Sequence, residues 1–85
     1  MTHQLTELDQ PAAARASRLR MGAAWQAMGQ TNQAIGAYTR LLARYPGSVE
    51  AREAADRLLA LAQDYEHQGR YHLALGLYEK LERLS

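Results

Sequence analysis

Apolar residues recur three and four positions apart along this chain, in four stretches divided by glycine and proline. That period predicts helices, and no stretch carries the two-residue alternation of a half-buried strand. The first helix is expected from about Pro11 to Met28, with Asp9 or Gln10 as N-cap and Pro11 tolerated in the first turn. Its apolar face reads Ala14, Met21, Ala24, Trp25 and Met28, and Gly29 ends it. The second helix, about Thr31 to Arg44, presents Ala34, Ile35, Tyr38, Leu41 and Leu42. Tyr45-Pro46-Gly47-Ser48 closes it and opens the next, because proline cannot continue a helix and serine caps one. The third helix, about Val49 to His67, carries Ala51, Ala54, Ala55, Leu58, Leu61, Ala62 and Tyr65. Gly69 breaks it, and a fourth helix runs from Tyr71 to near the end.

The four stretches are two copies of one pattern. GQTNQAIGAYTRLLARYP from Gly29 lies beside GRYHLALGLYEKLERLS from Gly69, matching Gly29 to Gly69, Ala34 to Ala74, Gly36 to Gly76, Tyr38 to Tyr78 and Leu41 to Leu81. Upstream, Met21 aligns with Leu61, Gly22 with Ala62 and Trp25 with Tyr65, all at the same offset of 40 residues. A fixed period of this size marks a repeat architecture, in which each unit buries its apolar face against the next. The expected organisation is a flexible segment over residues 1–10 and one domain over 11–85, with repeats over about 11–47 and 48–85.

Composition agrees. Alanine and leucine carry most of the aliphatic content, phenylalanine and cysteine are absent, and only two prolines occur. Without cysteine, no disulfide or thiolate zinc site is available to a small core. The net charge of +1 gives no argument for nucleic acid or an anionic membrane. Its distribution is uneven: Gln10 to Ser48 holds five arginines and no acid, whereas from Glu50 onward seven acids face five bases. A basic front half could therefore meet the acidic back half of a neighbouring copy. The start MTHQLTELDQ has no secretory pattern, and no apolar run is long enough to span a membrane, so a cytoplasmic protein is expected.

The run MGAAWQAMGQTNQAIGAYTRLLARYP resembles a tetratricopeptide repeat. The residues carrying the likeness are Met21, Gly22, Trp25, Gly29, Ala34, Tyr38, Leu41 and Pro46. The second copy supplies Leu58, Leu61, Ala62, Tyr65, Gly69, Tyr71, Ala74, Tyr78 and Leu81. The resemblance implies an all-α fold of two antiparallel helical hairpins, four helices stacked as a short right-handed superhelix. Small residues at 22, 34, 62 and 74 suit close helix crossings, and the aromatics at 25, 38, 65 and 78 fill gaps between helices. Departures are Arg18 where the family has a large apolar residue, Leu41 and Leu81 where it has alanine, and a period longer than the usual residue count of about 34. Long repeats joined by YPGS-like turns resemble those of bacterial envelope and secretion-associated members of the family.

Candidate chemistry is thin. His67 lies near Asp64 and Glu66, but His72 stands beyond the Gly69 break, so no metal ligand set is expected. No phosphate loop or nucleophile motif appears, and neither catalytic residue, cofactor nor metal is expected. Arg15 and Arg18 share a helix face with no aromatic interleaved to stack bases, which leaves nucleic acid an unlikely partner.

In the family, the first helix of each hairpin lines a concave groove that grips a peptide or helix. The resemblance thus assigns Leu19, Ala23, Gln26 and Ala27, with Asp56, Leu59, Gln63, Glu66 and His67, to a partner-binding groove. The fourth helix is more apolar than the second at matched places: Gln33 becomes Leu73, Ala37 becomes Leu77 and Arg44 becomes Leu84. Since a terminal helix of a repeat stack should be more polar, these leucines are expected to form an interface with another chain, in a homo-oligomer. The expected function is a protein–protein interaction module, a self-associating adaptor or scaffold that holds a protein segment in its groove. Alternatives are a small chaperone for a secreted or assembling subunit, or a binder of nucleic acid or another anionic partner through the arginine-rich half.

Overall fold

The computed structural model describes residues 2–84, and the side chains of 11–84. It contains four helices, α1 (Thr2–Ala27), α2 (Thr31–Arg44), α3 (Val49–His67) and α4 (Tyr71–Leu84), and no strand among the described residues. The bounds of α2, α3 and α4 follow the expected ones. The first helix does not begin at Pro11 but continues through it to Thr2. Pro11 has no N–H for the carbonyl four residues back, so the helix lacks one of its own bonds there.

Two tight turns set the hairpins, and they are built alike. Gly29 takes φ 77° and Gly69 φ 76°, backbone that a side chain disfavours. Gln30 N–H donates to the Trp25 carbonyl and Arg70 N–H to the Tyr65 carbonyl, both at 2.8 Å. Gly29 N–H donates to Gln26 at 3.0 Å and Gly69 N–H to Glu66 at 2.9 Å. These bonds satisfy the carbonyls left open at each helix end. Between the hairpins, Ser48 caps α3 as expected. Its Oγ accepts from the Ala51 N–H at 3.0 Å, an arrangement worth about 1 kcal/mol.

The core lies where α2, α3 and α4 meet. Ala34, Tyr38, Leu41 and Leu42 of α2 are buried with Ala54, Leu58, Leu61, Ala62 and Tyr65 of α3 and with Ala74 and Leu77 of α4. Tyr38, Leu41 and Leu58 are fully enclosed, each contributing roughly 1.5–3 kcal/mol of apolar burial. The α2 and α3 stripes are therefore those read from periodicity.

The α1 stripe is different. Met21 is 52% and Met28 68% exposed, and Ala24 is exposed as well. Among residues 11–27 of α1, Gly22 is the buried one, lying against the Tyr38 ring, while Leu19 and Trp25 pack only partly on the core. A helical period shows which residues share a face but not whether that face has a neighbour. The Met21 face of α1 has none within the described residues.

Candidate functional site

Two surfaces remain outside this packing: the outer row of α1 and α3, and the edges of the hairpin pair. Along α3, Asp56, Leu59, Gln63, Glu66 and His67 are all exposed, Leu59 at 41%. Gln63, Glu66 and His67 come together around a hollow closed by Tyr71 from the start of α4. The α1 counterparts lie 40 residues earlier, with Ala27 exposed and Leu19, Ala23 and Gln26 half-buried. Leu19 leans on the core. Gln26 lines a separate polar hollow at the turn ends with Leu61, Asp64 and Arg70.

A hydrogen bond anchors this row to the hairpin core, once per copy. The Tyr38 hydroxyl donates to Gln26 Oε1 at 2.8 Å, and the Tyr78 hydroxyl donates to Glu66 Oε1. This bond to Glu66 pushes the Tyr78 phenol above its usual range, because ionising it would give up the donated hydrogen; desolvation and the nearby negative charge act in the same direction. Gln26 and Glu66 were read as groove residues only, and each also ties the second helix of its hairpin to the first.

The fourth-helix leucines are placed otherwise than expected. Leu77 is 4% exposed and belongs to the chain's own core, Leu84 is half-buried against the same core, and Leu73 alone stays 43% exposed. Leu73, Gly76, Leu77 and Lys80 face Asn32, Ile35, Gly36 and Thr39 of α2 across one groove. The physical reason lies in the repeat itself. These positions of each second helix look back toward the preceding hairpin: for α4 that hairpin is present, and leucine suits it. For α2 no such hairpin stands among the described residues, and Gln33, Ala37 and Arg44 stand there instead. Greater apolarity in α4 thus marks an internal contact, and Leu77 is not a surface residue.

The arginines are also partly committed. Arg15 pairs with Glu50 at 2.9 Å and lies 5.8 Å from the centre of the Tyr45 ring, joining α1 to the start of α3. Arg18 and Arg40 flank a hollow on the outer side of the first hairpin with Met21, Trp25 and Ala37. Among the described residues there is no cluster of three His, Asp or Glu side chains able to hold a metal, and no helix long and apolar enough to cross a membrane.

Neither the curated proteins nor the solved structures compared with this chain yield a match. A family model does: residues 16–48, which hold most of α1, all of α2 and the turn into α3, match the tetratricopeptide repeat. That repeat serves generally in protein–protein interaction. With its glycine-stopped hairpin and its all-helical frame, the segment 16–48 fits the tetratricopeptide repeat that it matches.

Proposed function

We propose that the protein is a non-catalytic adaptor or scaffold that associates with itself and receives a segment of another protein along the outer row of α1 and α3. The observation carrying this reading is the exposed row Leu59, Gln63, Glu66 and His67 on one side of α3, in which Glu66 is also held by the Tyr78 hydroxyl. An apolar residue followed by an amide, an acid and an imidazole offers one anchor and several hydrogen-bonding partners to an extended or helical segment. Leu19, Ala23, Gln26 and Ala27 extend the row, smaller and less charged, on α1. Residues 48–85 act in this reading as a second repeat, supported by the duplicated turn and by the paired tyrosine bonds. Residues 1–10 serve as a separable arm ahead of the domain at 11–85, since Pro11 weakens helical continuity between them.

A photo-crosslinking residue placed at Leu59 tests the groove. Adducts with another polypeptide in the cells that make the protein are expected there, and not at exposed Glu53, which lies off the row on the same helix. Equal yields at both positions, or none at either, would remove the groove from the account.

A further inference from the structure

The faces that pack the two hairpins together recur, unpaired among the described residues, on the far sides of the two hairpins. At the internal junction, the second hairpin offers Leu58, Leu61, Tyr65, Leu77 and Lys80. Forty residues earlier stand Arg18, Met21, Trp25, Ala37 and Arg40, and these five line one hollow on the outer side of the first hairpin. Burial makes the contrast plain: Leu61 is 8% exposed and its counterpart Met21 is 52% exposed. From the other side of the junction, the first hairpin contributes Ile35, Thr39 and Leu42. Forty residues later stand Leu75, Glu79 and Glu82, all exposed, Leu75 at 59%. The described residues therefore present a half-junction at each side, one receiving and one inserting.

The substitutions at these ends are complementary in charge. Leu42 and Leu58 share the internal core, and their counterparts are Glu82 and Arg18. Thr39 and Lys80 flank the same internal groove, and their counterparts are Glu79 and Arg40. Where the interior has leucine at both places, the ends have an acid on one side and an arginine on the other. Apolar Leu75 remains on the acidic face, and Met21 and Trp25 on the basic one. Ends that served only to keep water off a stack could carry any charge on either side, whereas Glu79 and Arg40 are opposite in charge at the counterparts of Thr39 and Lys80, which line one groove; the counterparts of Ala43 and Leu84 in the adjoining hollow, Arg83 and Arg44, are alike.

We propose that the occupant of the Arg18–Trp25–Arg40 face is a second copy of this chain, stacked head to tail through its Leu75–Glu79–Glu82 edge and repeating the internal junction. This rests on the self-association put forward above and specifies its surface and its polarity. A heterologous contact of this kind leaves one free end of each type on every assembly, so growth continues into open stacks or a ring and does not stop at a closed pair.

The test is solution mass by light scattering over a dilution series, on the wild-type chain and on two charge-reversed variants checked for unchanged helical content. Wild type is expected to rise with concentration from 9.5 kDa past twice that mass. R18E/R40E alone and E79K/E82K alone are expected to stay monomeric, because each sets like charges against each other at the junction. Mixed in equal amounts, the two restore opposite charges at both kinds of junction, and growth past a pair is expected to return. Recovery on mixing also shows that neither variant failed by unfolding. A wild type that stays monomeric throughout overturns both the stacking and the self-association. One that stops at twice the monomer mass, or associates equally well in both variants, overturns the stacking alone. In either case crosslinking at Leu59 is untouched and still judges the groove.

Discussion

Gly22 lies directly against the ring of Tyr38 where α1 crosses α2, so close that a Cβ at 22 would sit 2.8 Å from Tyr38 Cδ1. The second copy has Ala62 at the matching place, and there the tyrosine, Tyr78, is only half-buried while Tyr38 is wholly enclosed. The first hairpin is thus the more tightly closed, and its glycine is required by space and not by backbone conformation.

Replacing Gly22 with alanine should lower stability even though alanine is the better helix former. Overpacking costs about 1–3 kcal/mol and the helix gain returns up to about 1 kcal/mol, leaving a net loss of roughly 1–2 kcal/mol in urea unfolding. Gly36→Ala is the control. Nothing lies within 4 Å of a Cβ there, so the same change should stabilise by about 0.5–1 kcal/mol.

Leu77 and Leu75 are two residues apart on α4 and should behave oppositely. Leu77→Ala opens a cavity in the core and is expected to cost about 2–5 kcal/mol. Leu75→Ala should leave the unfolding midpoint within error in dilute solution and weaken self-association instead. Equal stability losses from both would contradict the side of α4 that faces the core.

The Arg15–Glu50 pair gives stability a pH dependence of known sign. A backbone hydrogen bond at the start of α3, then the bond from Arg15, hold the Glu50 carboxyl below its ordinary value of 4.5. A carboxylate favoured by folding contributes above the unfolded pKa, and that contribution is lost as pH falls through the lowered folded one. The difference in urea midpoint between wild type and Glu50→Gln should therefore be constant near neutrality and shrink below about pH 4.5.

Tyr38→Phe should cost about 0.5–1.5 kcal/mol, since it removes the bond to Gln26 from an enclosed hydroxyl. Tyr78→Phe, at the more exposed pair with Glu66, should cost less. Tyr78 ought also to titrate above the ordinary tyrosine value in a spectrophotometric alkaline titration, and Glu66→Gln should bring it down.

Much of this architecture was legible in the residues. The glycines at 29 and 69, the Ser48 cap and the stripes of α2 and α3 each follow from local chemistry, and the 40-residue offset follows from comparing the chain with itself. What periodicity could not supply was the neighbour of each face. Met21 and Leu61 occupy the same place in the pattern, yet one is exposed and the other buried, because among the described residues only Leu61 has a hairpin in front of it. The same ambiguity put Leu77 on the surface when it belongs to the core. The Arg15–Glu50 pair spans 35 residues and two helices with no spacing rule to announce it. Of the groove row, the sequence located the α3 residues on one exposed side but not the engagement of Gln26 and Glu66 by tyrosine hydroxyls.

The chain's lack of cysteine allows the central claim, that the offset of 40 decides which faces are inside, to be read one position at a time. Single cysteines at Met21, Leu61, Leu75 and Leu77 would be introduced separately, and their thiol-labelling rates compared in dilute solution against the unfolded chain. The account predicts near-unfolded rates at 21 and 75 and strong protection at 61 and 77. It also predicts that only 21 and 75 gain protection as concentration rises. Labelling at 61 or 77 as fast as at 21 or 75, in variants that keep their helical content, would contradict it.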